Sequence, residues 1–252
     1  MRFEYGSTAR IPQLRRLWKE AFGDTDVFLD GFFESGFSPD RCRCIVEKDE
    51  VVSALYWFEG ICRNQRFAYL YAVATAQSHR GRGLFTALLG DVKQILAAQS
   101  FDGILLVPEN EGLARMYEKL GFSCCTAVDR CTVAAAEVSA AVREIGAAEF
   151  AAIRRTLLPE GAVLQEGAVL PFLASQYRFF AGDDFLAIGQ VYEGKLHCQE
   201  FLGEKSAMAG LVKATGAQTG AFRTVGTGTP FAWYLPLTAR CVKPVYFALA
   251  LD

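Results

Sequence analysis

The chain has 252 residues, 52% of them hydrophobic, with 26 basic side chains against 28 acidic ones. That is enough apolar surface for one large packed unit or two modest ones, which excludes disorder, and a net charge of −2 spread evenly over the two halves excludes a polybasic nucleic-acid binder. No apolar run reaches the roughly 18 residues of a membrane span, and the opening MRFEYGSTARIPQL lacks the long apolar centre of a signal peptide, so a soluble cytoplasmic protein without a membrane partner is expected.

In chain order, Ile11, Leu14, Leu17, Trp18 and Phe22 recur at helical spacing before Gly23, and residues 27–33 continue as a second helical stretch. Three runs rich in β-branched and aromatic residues follow at 42–47, 51–59 and 67–75, and polar turns between them predict an antiparallel meander. A helix is expected to start at about Gly83, with Leu84, Leu88, Val92, Ile95 and Leu96 on its apolar face. The run GILLVP is a short strand ended by Pro108, residues 110–120 form a helix stopped by Gly121, and Phe122 returns the chain to strand. Strands paired both ways and flanked by helices make an α/β fold with a mixed sheet.

The alanine-rich stretch after residue 131 marks a second unit, giving expected domains of 1–130 and 131–252. Phe150, Ile153 and Leu157 predict a helix ended near Pro159. FLAIGQVYEGKLHCQEFLGE predicts two strands about Glu193 and Gly194, KSAMAGLVKATG a helix stopped by Gly216, and residues 221–225 and 245–251 two more strands. That order echoes the first half, and a smaller α/β lobe of degenerate repeat character is expected.

Eight cysteines in a chain of this length, without a secretion signal, are expected to be reduced thiols. Cys42 and Cys44 share a strand face, Cys124 and Cys125 are adjacent, and neither pair has CxxC spacing; with His79 and His197 the only histidines, no metal site is expected.

The stretch QSHRGRGLFTALLGDV, beginning at Gln77, concentrates charge and flexibility at the start of a helix. A strand entering a glycine-rich turn and then a helix gathers unclaimed backbone N–H groups at the positive end of the helix dipole. Gly81 and Gly83 let an anion approach the backbone, and Arg80 and Arg82 supply charge-assisted hydrogen bonds. The loop has neither a Gly-Lys-Ser/Thr ending nor GxGxxG, which argues against nucleotide triphosphate hydrolysis and dinucleotide binding.

Read as Arg80-Gly81-Arg82-Gly83-Leu84 after YLYAVAT, this loop resembles the acetyl-CoA pyrophosphate loop of the GCN5-related N-acetyltransferases, or GNAT family, and VPENEGLARMYEKLGF resembles that family's second signature. The likeness covers roughly residues 1–130. It implies a GNAT-type mixed sheet in which Val73, Ala74 and Thr75 bond the pantetheine arm and Arg80, Gly81, Arg82, Gly83, Leu84, Phe85 and Thr86 hold the pyrophosphate. Phe85 departs from the family's glycine or alanine at its position, and in this the loop is similar to that of the enhanced intracellular survival acetyltransferases. In those relatives a terminal carboxylate reaches the active site, the place Asp252 holds here. Asn110 is placed to cap its helix or to hold the pantetheine arm, and the two roles are compatible.

The resemblance further implies acetyl-CoA as cosubstrate and a small-molecule or peptide amine as acceptor, which attacks the thioester directly in a ternary complex. Tyr117 matches the tyrosine that meets the CoA sulfur, an oxyanion donor is expected from a backbone N–H near Val73 or Ala74, and the base is open among Tyr69, Tyr71, Glu59 and Glu109. On alternation alone Tyr69, Tyr71 and Val73 share one strand face, while Leu70, Ala72 and Ala74 share the other. A noncatalytic acyl-CoA sensor is the competing reading. In the second lobe Glu204 stands where a pyrophosphate would approach, so that lobe is expected to bind no CoA.

Overall fold

A computed structural model of the protein describes residues 1–137 and 141–250. Its first half runs β1 (Arg2–Tyr5), α1 (Ile11–Phe22), α2 (Asp26–Gly31), β2 (Cys42–Glu47), β3 (Glu50–Cys62), β4 (Gln65–Thr75), α3 (Leu84–Ala98), β5 (Gly103–Leu106), α4 (Glu111–Lys119) and β6 (Ser123–Ala134). The second runs β7 (Arg143–Ile145), α5 (Ala147–Leu157), β8 (Leu164–Gln165), α6 (Val169–Gln176), β9 (Arg178–Ala181), β10 (Phe185–Tyr192), β11 (Lys195–Gly203), α7 (Met208–Ala214), β12 (Thr219–Val225) and β13 (Thr229–Pro236). The expected helices and meander are present. The second helical stretch runs further than periodicity indicates, because after Gly31 it continues through Phe32–Gly36 as a wider π turn.

One mixed sheet joins the two halves, in the order β1-β2-β3-β4-β5-β13-β6-β12-β11-β10-β9-β7, with the short β8 paired to β3. β3 and β4 are antiparallel while β4 and β5 are parallel, and β10, β11 and β12 repeat that scheme. The lobes are laced by their last strands. β6 leaves the first lobe to pair with β12, and β13 returns to lie between β5 and β6. TPFAWYLP carries the apolar pattern of a strand, yet residue-by-residue reading passes over it, as it does over β1, α6 and β9.

The sheet's inner face carries one core shared by both lobes: Leu14, Trp18 and Phe32 from the first pack with Phe150, Phe172 and Leu173 from the second. On the outer face, α3 and α4 cover the first lobe through Leu88, Val92 and Tyr117, and α7 covers the second through Met208, Leu211 and Val212.

Residues 245–250 do not form the expected strand. Tyr246 makes one parallel bridge to Ala162, and residues 246–250 are buried between the lobes. Tyr246 O accepts from Val163 N at 2.9 Å, and beyond it side chains take the carbonyls in place of a neighbouring ladder: Gln165 Nε2 donates to Leu249 O at 2.8 Å and Arg223 Nη1 to Ala248 O at 2.8 Å. Leu251 and Asp252, and with them the expectation for a terminal carboxylate, lie outside the described residues.

Beside this tail, Arg154 of α5 and Glu200 of β11 form a fully buried bidentate pair, Nε to Oε2 at 2.6 Å and Nη2 to Oε1 at 3.0 Å. Burial, with Glu200 close by, pushes the Tyr246 phenol well above its ordinary pKa. Breaking such a pair by removing one partner costs about 3–5 kcal/mol, because the other charge is left in the core.

Since β13 fills the edge of β5, a fragment of residues 1–130 would expose the backbone groups of that edge and lose half of the inner core. That fragment is expected to show no cooperative thermal transition, whereas the full chain melts in one. A fragment that unfolds cooperatively and binds CoA would contradict the interlaced assignment.

Candidate functional site

The site begins with a fault in strand pairing. From Tyr71 to Ala74, β4 takes three steps where β3 takes two, from Tyr56 to Ala54. The surplus residue makes a β-bulge, with Ala72 at φ +48°, a left-handed conformation uncommon for a residue with a Cβ. The bulge reverses the alternation beyond it. Tyr69, Tyr71, Ala72 and Ala74 face the inner core, while Val73 turns to the outer side with Leu70, so Ala72, Val73 and Ala74 each leave the face that simple alternation assigns them.

Next to the bulge the sheet opens. β4 pairs with β5 only from Phe67 and Gly103 to Tyr69 and Leu105, and β5 then ends at Leu106. Beyond Tyr69 that edge of β4 has no strand beside it among the described residues, although β4 continues to Thr75. The slot between them can admit an extended chain that bonds to backbone, and Val73, Ala74 and Thr75 line its β4 side.

At the mouth of the slot lies the arginine and glycine loop. A short 3-10 turn over Gln77–His79 leads into it, Gly81 and Gly83 have φ of +74° and +72°, and α3 begins at Leu84. The first helical bond runs from Ala87 N to Gly83 O at 3.0 Å, so the N–H groups of Leu84, Phe85 and Thr86 find no backbone acceptor among the described residues. A Cβ added at Gly81 or Gly83 would meet no atom within 4 Å. The glycines are therefore required by backbone conformation, and the surface they leave bare is one an anion can approach.

The arginines are already oriented. Arg80 Nε donates to Thr75 O at 3.1 Å, fastening the loop to the end of β4, and Arg82 Nη2 donates to Glu47 Oε1 at 2.8 Å. His79 Nε2 lies 3.6 Å from the other Glu47 oxygen. Hydrogen bonding from Arg82 holds the Glu47 carboxyl below its ordinary pKa.

Across the slot, Asn110 caps α4, its Oδ1 accepting from Leu113 N at 3.0 Å; the amide nitrogen remains as a donor. Tyr117, nearly two turns on, is 8% exposed, and burial alone pushes its phenol up to about 12. Its ring meets Phe85 and Phe122 edge-on, each at a centroid distance of 5.7 Å. The structure thus brings the loop residues, the end of β4, Asn110 and Tyr117 to one region.

The four base candidates do not converge on the slot: Tyr69 and Tyr71 meet each other, ring centroids 6.2 Å apart, but inside the inner core, and the two glutamates lie elsewhere. Tyr69 is buried against Phe247 at 4.9 Å, and Tyr71 packs among Trp18, Phe32, Phe58 and Phe172. Glu59 lies opposite Ala68, before the strands part, and accepts from Arg66 Nη2 at 3.1 Å. Glu109 is exposed in the link between β5 and α4. A cavity of about 420 Å³, lined in part by Arg130, Thr132, His197, Gln199 and Arg223, opens in the second lobe, away from the loop. Volume does not locate the motif chemistry here, since a pantetheine arm needs a slot between strands and not a chamber.

Residues 3–125 match the family model described as an acetyltransferase (GNAT) domain. The amino-terminal half of the chain is a GNAT domain. A GCN5-related N-acetyltransferase from Anabaena variabilis superposes with a TM-score of 0.72 at 14% identity, over 94% of this chain and 73% of that one. Eis1 from Mycobacterium abscessus superposes with a TM-score of 0.67 at 12% identity, over 94% and 74%. A tandem GNAT protein from the clavulanic acid biosynthesis pathway gives 0.61 at 11% identity, over 95% and 99%. At such identities the likeness is one of fold, and it extends the GNAT architecture to the second lobe. No curated protein matches the chain.

The bulge and β13 are the parts of the candidate site's frame that motif reading misses. Ala72 carries no sign of its left-handed φ, while β13 was open to detection by its apolar pattern. The loop supports a direct test. Gly83→Val puts a β-branched residue at positive φ beneath the anion's approach, and CoA binding is expected to be lost with the circular dichroism spectrum retained. Arg80→Ala and Arg82→Ala are each expected to weaken CoA by about 1.5–3 kcal/mol. Unchanged calorimetric affinity in all three variants would contradict the phosphate-loop assignment.

Proposed function

We propose that the protein is an acetyl-CoA-dependent N-acetyltransferase that acetylates a primary amine on a small-molecule or peptide acceptor, in the first-lobe slot and in the cytoplasm. The observation that carries this reading is the parting of β4 from β5 directly beneath the Gly81–Gly83 loop. A slot lined by strand backbone suits the amide-bearing pantetheine arm, and the bare glycines with the first turn of α3 suit the diphosphate. Residues 1–130 serve as the catalytic unit and 131–252 as a lobe that walls the acceptor side. No helix among the described residues is long and apolar enough to cross a membrane.

Acetyl-CoA supplies an activated acyl thioester when bound. The chain's own contribution begins beside the bulge, where backbone N–H groups near Val73 and Ala74, fixed before charge develops on the acyl oxygen, are the oxyanion donors in this reading. Tyr117 provides the acid side. With a phenol at about 12 against a free thiol near 8.5, full proton transfer is uphill by about 5 kcal/mol. Tyr117 therefore works by hydrogen-bonding the sulfur while keeping its proton, and burial enforces this more strongly than the roughly 2 kcal/mol that ordinary pKa values give.

In the second lobe the same strands stay closed. β11 and β12 remain paired to Phe201 and Thr224, Glu204 occupies the turn after β11, and α7 has only 7 residues. This supports a single cofactor site per chain, in the first lobe.

Tyr117→Phe keeps the ring and deletes the hydroxyl. Turnover is expected to fall roughly 10²-fold with CoA affinity nearly unchanged. The assay is an amine panel with acetyl-CoA, read by thiol release and by mass of the acetylated product. CoA binding without acetylation of any amine would favour the sensor reading, and wild-type turnover in Tyr117→Phe would remove Tyr117 from the reaction.

A further inference from the structure

Tyr117 can meet a sulfur at one point only if its ring is held, and among the described residues no side chain hydrogen-bonds its hydroxyl to hold it. Two aromatic edges do so. Phe122, 3% exposed at the start of β6, meets the ring at an interplanar angle of 64°, and Phe85 meets it at 85°. These two neighbours differ in where they belong. Phe122 is part of the permanent core, whereas Phe85 is half-buried in the first turn of α3, two residues after Gly83 and within the run of backbone N–H groups assigned to the diphosphate. Position 85 thus touches the phosphate loop through its backbone and the phenol through its ring.

We propose that Phe85 is a positioning residue for the acetyl transfer: its ring, carried on the diphosphate-binding turn, fixes the Tyr117 ring so that the hydroxyl meets the thioester sulfur. This rests on the catalytic reading of Tyr117 given above. A small residue at position 85 would leave one side of the Tyr117 ring without a neighbour, and rotation about its side-chain torsions would spread the hydroxyl over several positions. An edge-to-face contact is worth enough to choose among such rotamers, and little in binding the cofactor itself.

A double-mutant cycle tests it, using the full chain with acetyl-CoA and whichever amine the panel identifies. Phe85→Ala is expected to lower kcat about tenfold while CoA affinity stays within about twofold, and Phe85→Tyr to restore kcat. In the Tyr117→Phe background, Phe85→Ala should lower kcat by less than about twofold, because the hydroxyl it positions is gone. If Phe85→Ala does not fold, by thermal melting, Phe85→Leu takes its place in the cycle. An undiminished loss in the Tyr117→Phe background, or weaker CoA binding with kcat unchanged, would overturn the inference while leaving the acetyltransferase reading intact. Wild-type turnover in Tyr117→Phe alone would overturn the catalytic reading and this inference with it.

Discussion

Everything the site offers depends on two parallel strands that stop pairing. β4 and β5 are bonded as far as Tyr69 and Leu105 and then part, and a sheet in this position has strong reason to stay closed, since unpaired backbone N–H and C=O groups away from water are costly. Three features hold the gap open. The bulge at Ala72 diverts β4, the early end of β5 at Leu106 withdraws the partner, and β13 takes the other edge of β5 so that this short strand is anchored without needing the rest of β4. In the proposed reading a ligand with its own backbone-like amides completes the hydrogen bonding that the fold omits, which would couple binding to the satisfaction of β4.

The interlacing of the lobes serves the same end. β5 has four residues, too few to be secure at a sheet edge, and its stability comes from a strand made more than 120 residues later in the chain. The second lobe is in this sense a support for the first. Its own counterpart of the site is closed: β11 has a bulge at the matching place, where two steps from Cys198 to Glu200 face one on β10, but the strand remains bonded to β12 past it. There the inner face carries the Arg154 and Glu200 pair, whose bidentate geometry satisfies two charges that could not be left single in the core. The buried tail crosses between the lobes at the same level, tied by Gln165 and Arg223, and its Phe247 lies on Tyr69.

What could be read from the sequence follows from how local each cause is. The loop was legible because glycine at positive φ and arginine beside a helix start leave their mark in a few adjacent residues, and Asn110 and Gly121 bracket α4 for similarly local reasons. Repetition of hairpin, helix and strand in the second half was legible as order. The reversal of faces at Ala72 was not, since an alanine gives no hint of a bulge that pairing with β3 imposes. Residues 245–250 have the apolar composition of a strand, yet they are buried by insertion between lobes, and no property of the segment alone distinguishes that from a place in the sheet. The family likeness singles out Tyr117 from the sequence, but the degree of its burial, and so the reluctance of its proton to leave, depends on Phe85 and Phe122 packing around it.

Two lobes with the same strand scheme differ, then, in whether one pair of parallel strands is open or closed, and in whether the turn above it presents bare glycines and arginines or Glu204. Isothermal titration of the full chain with acetyl-CoA measures the consequence most directly. The account predicts one equivalent bound per chain, lost with Gly83→Val. Two equivalents, or one that survives Gly83→Val, would contradict the claim that the parted strands and glycine loop of the first lobe are the cofactor site.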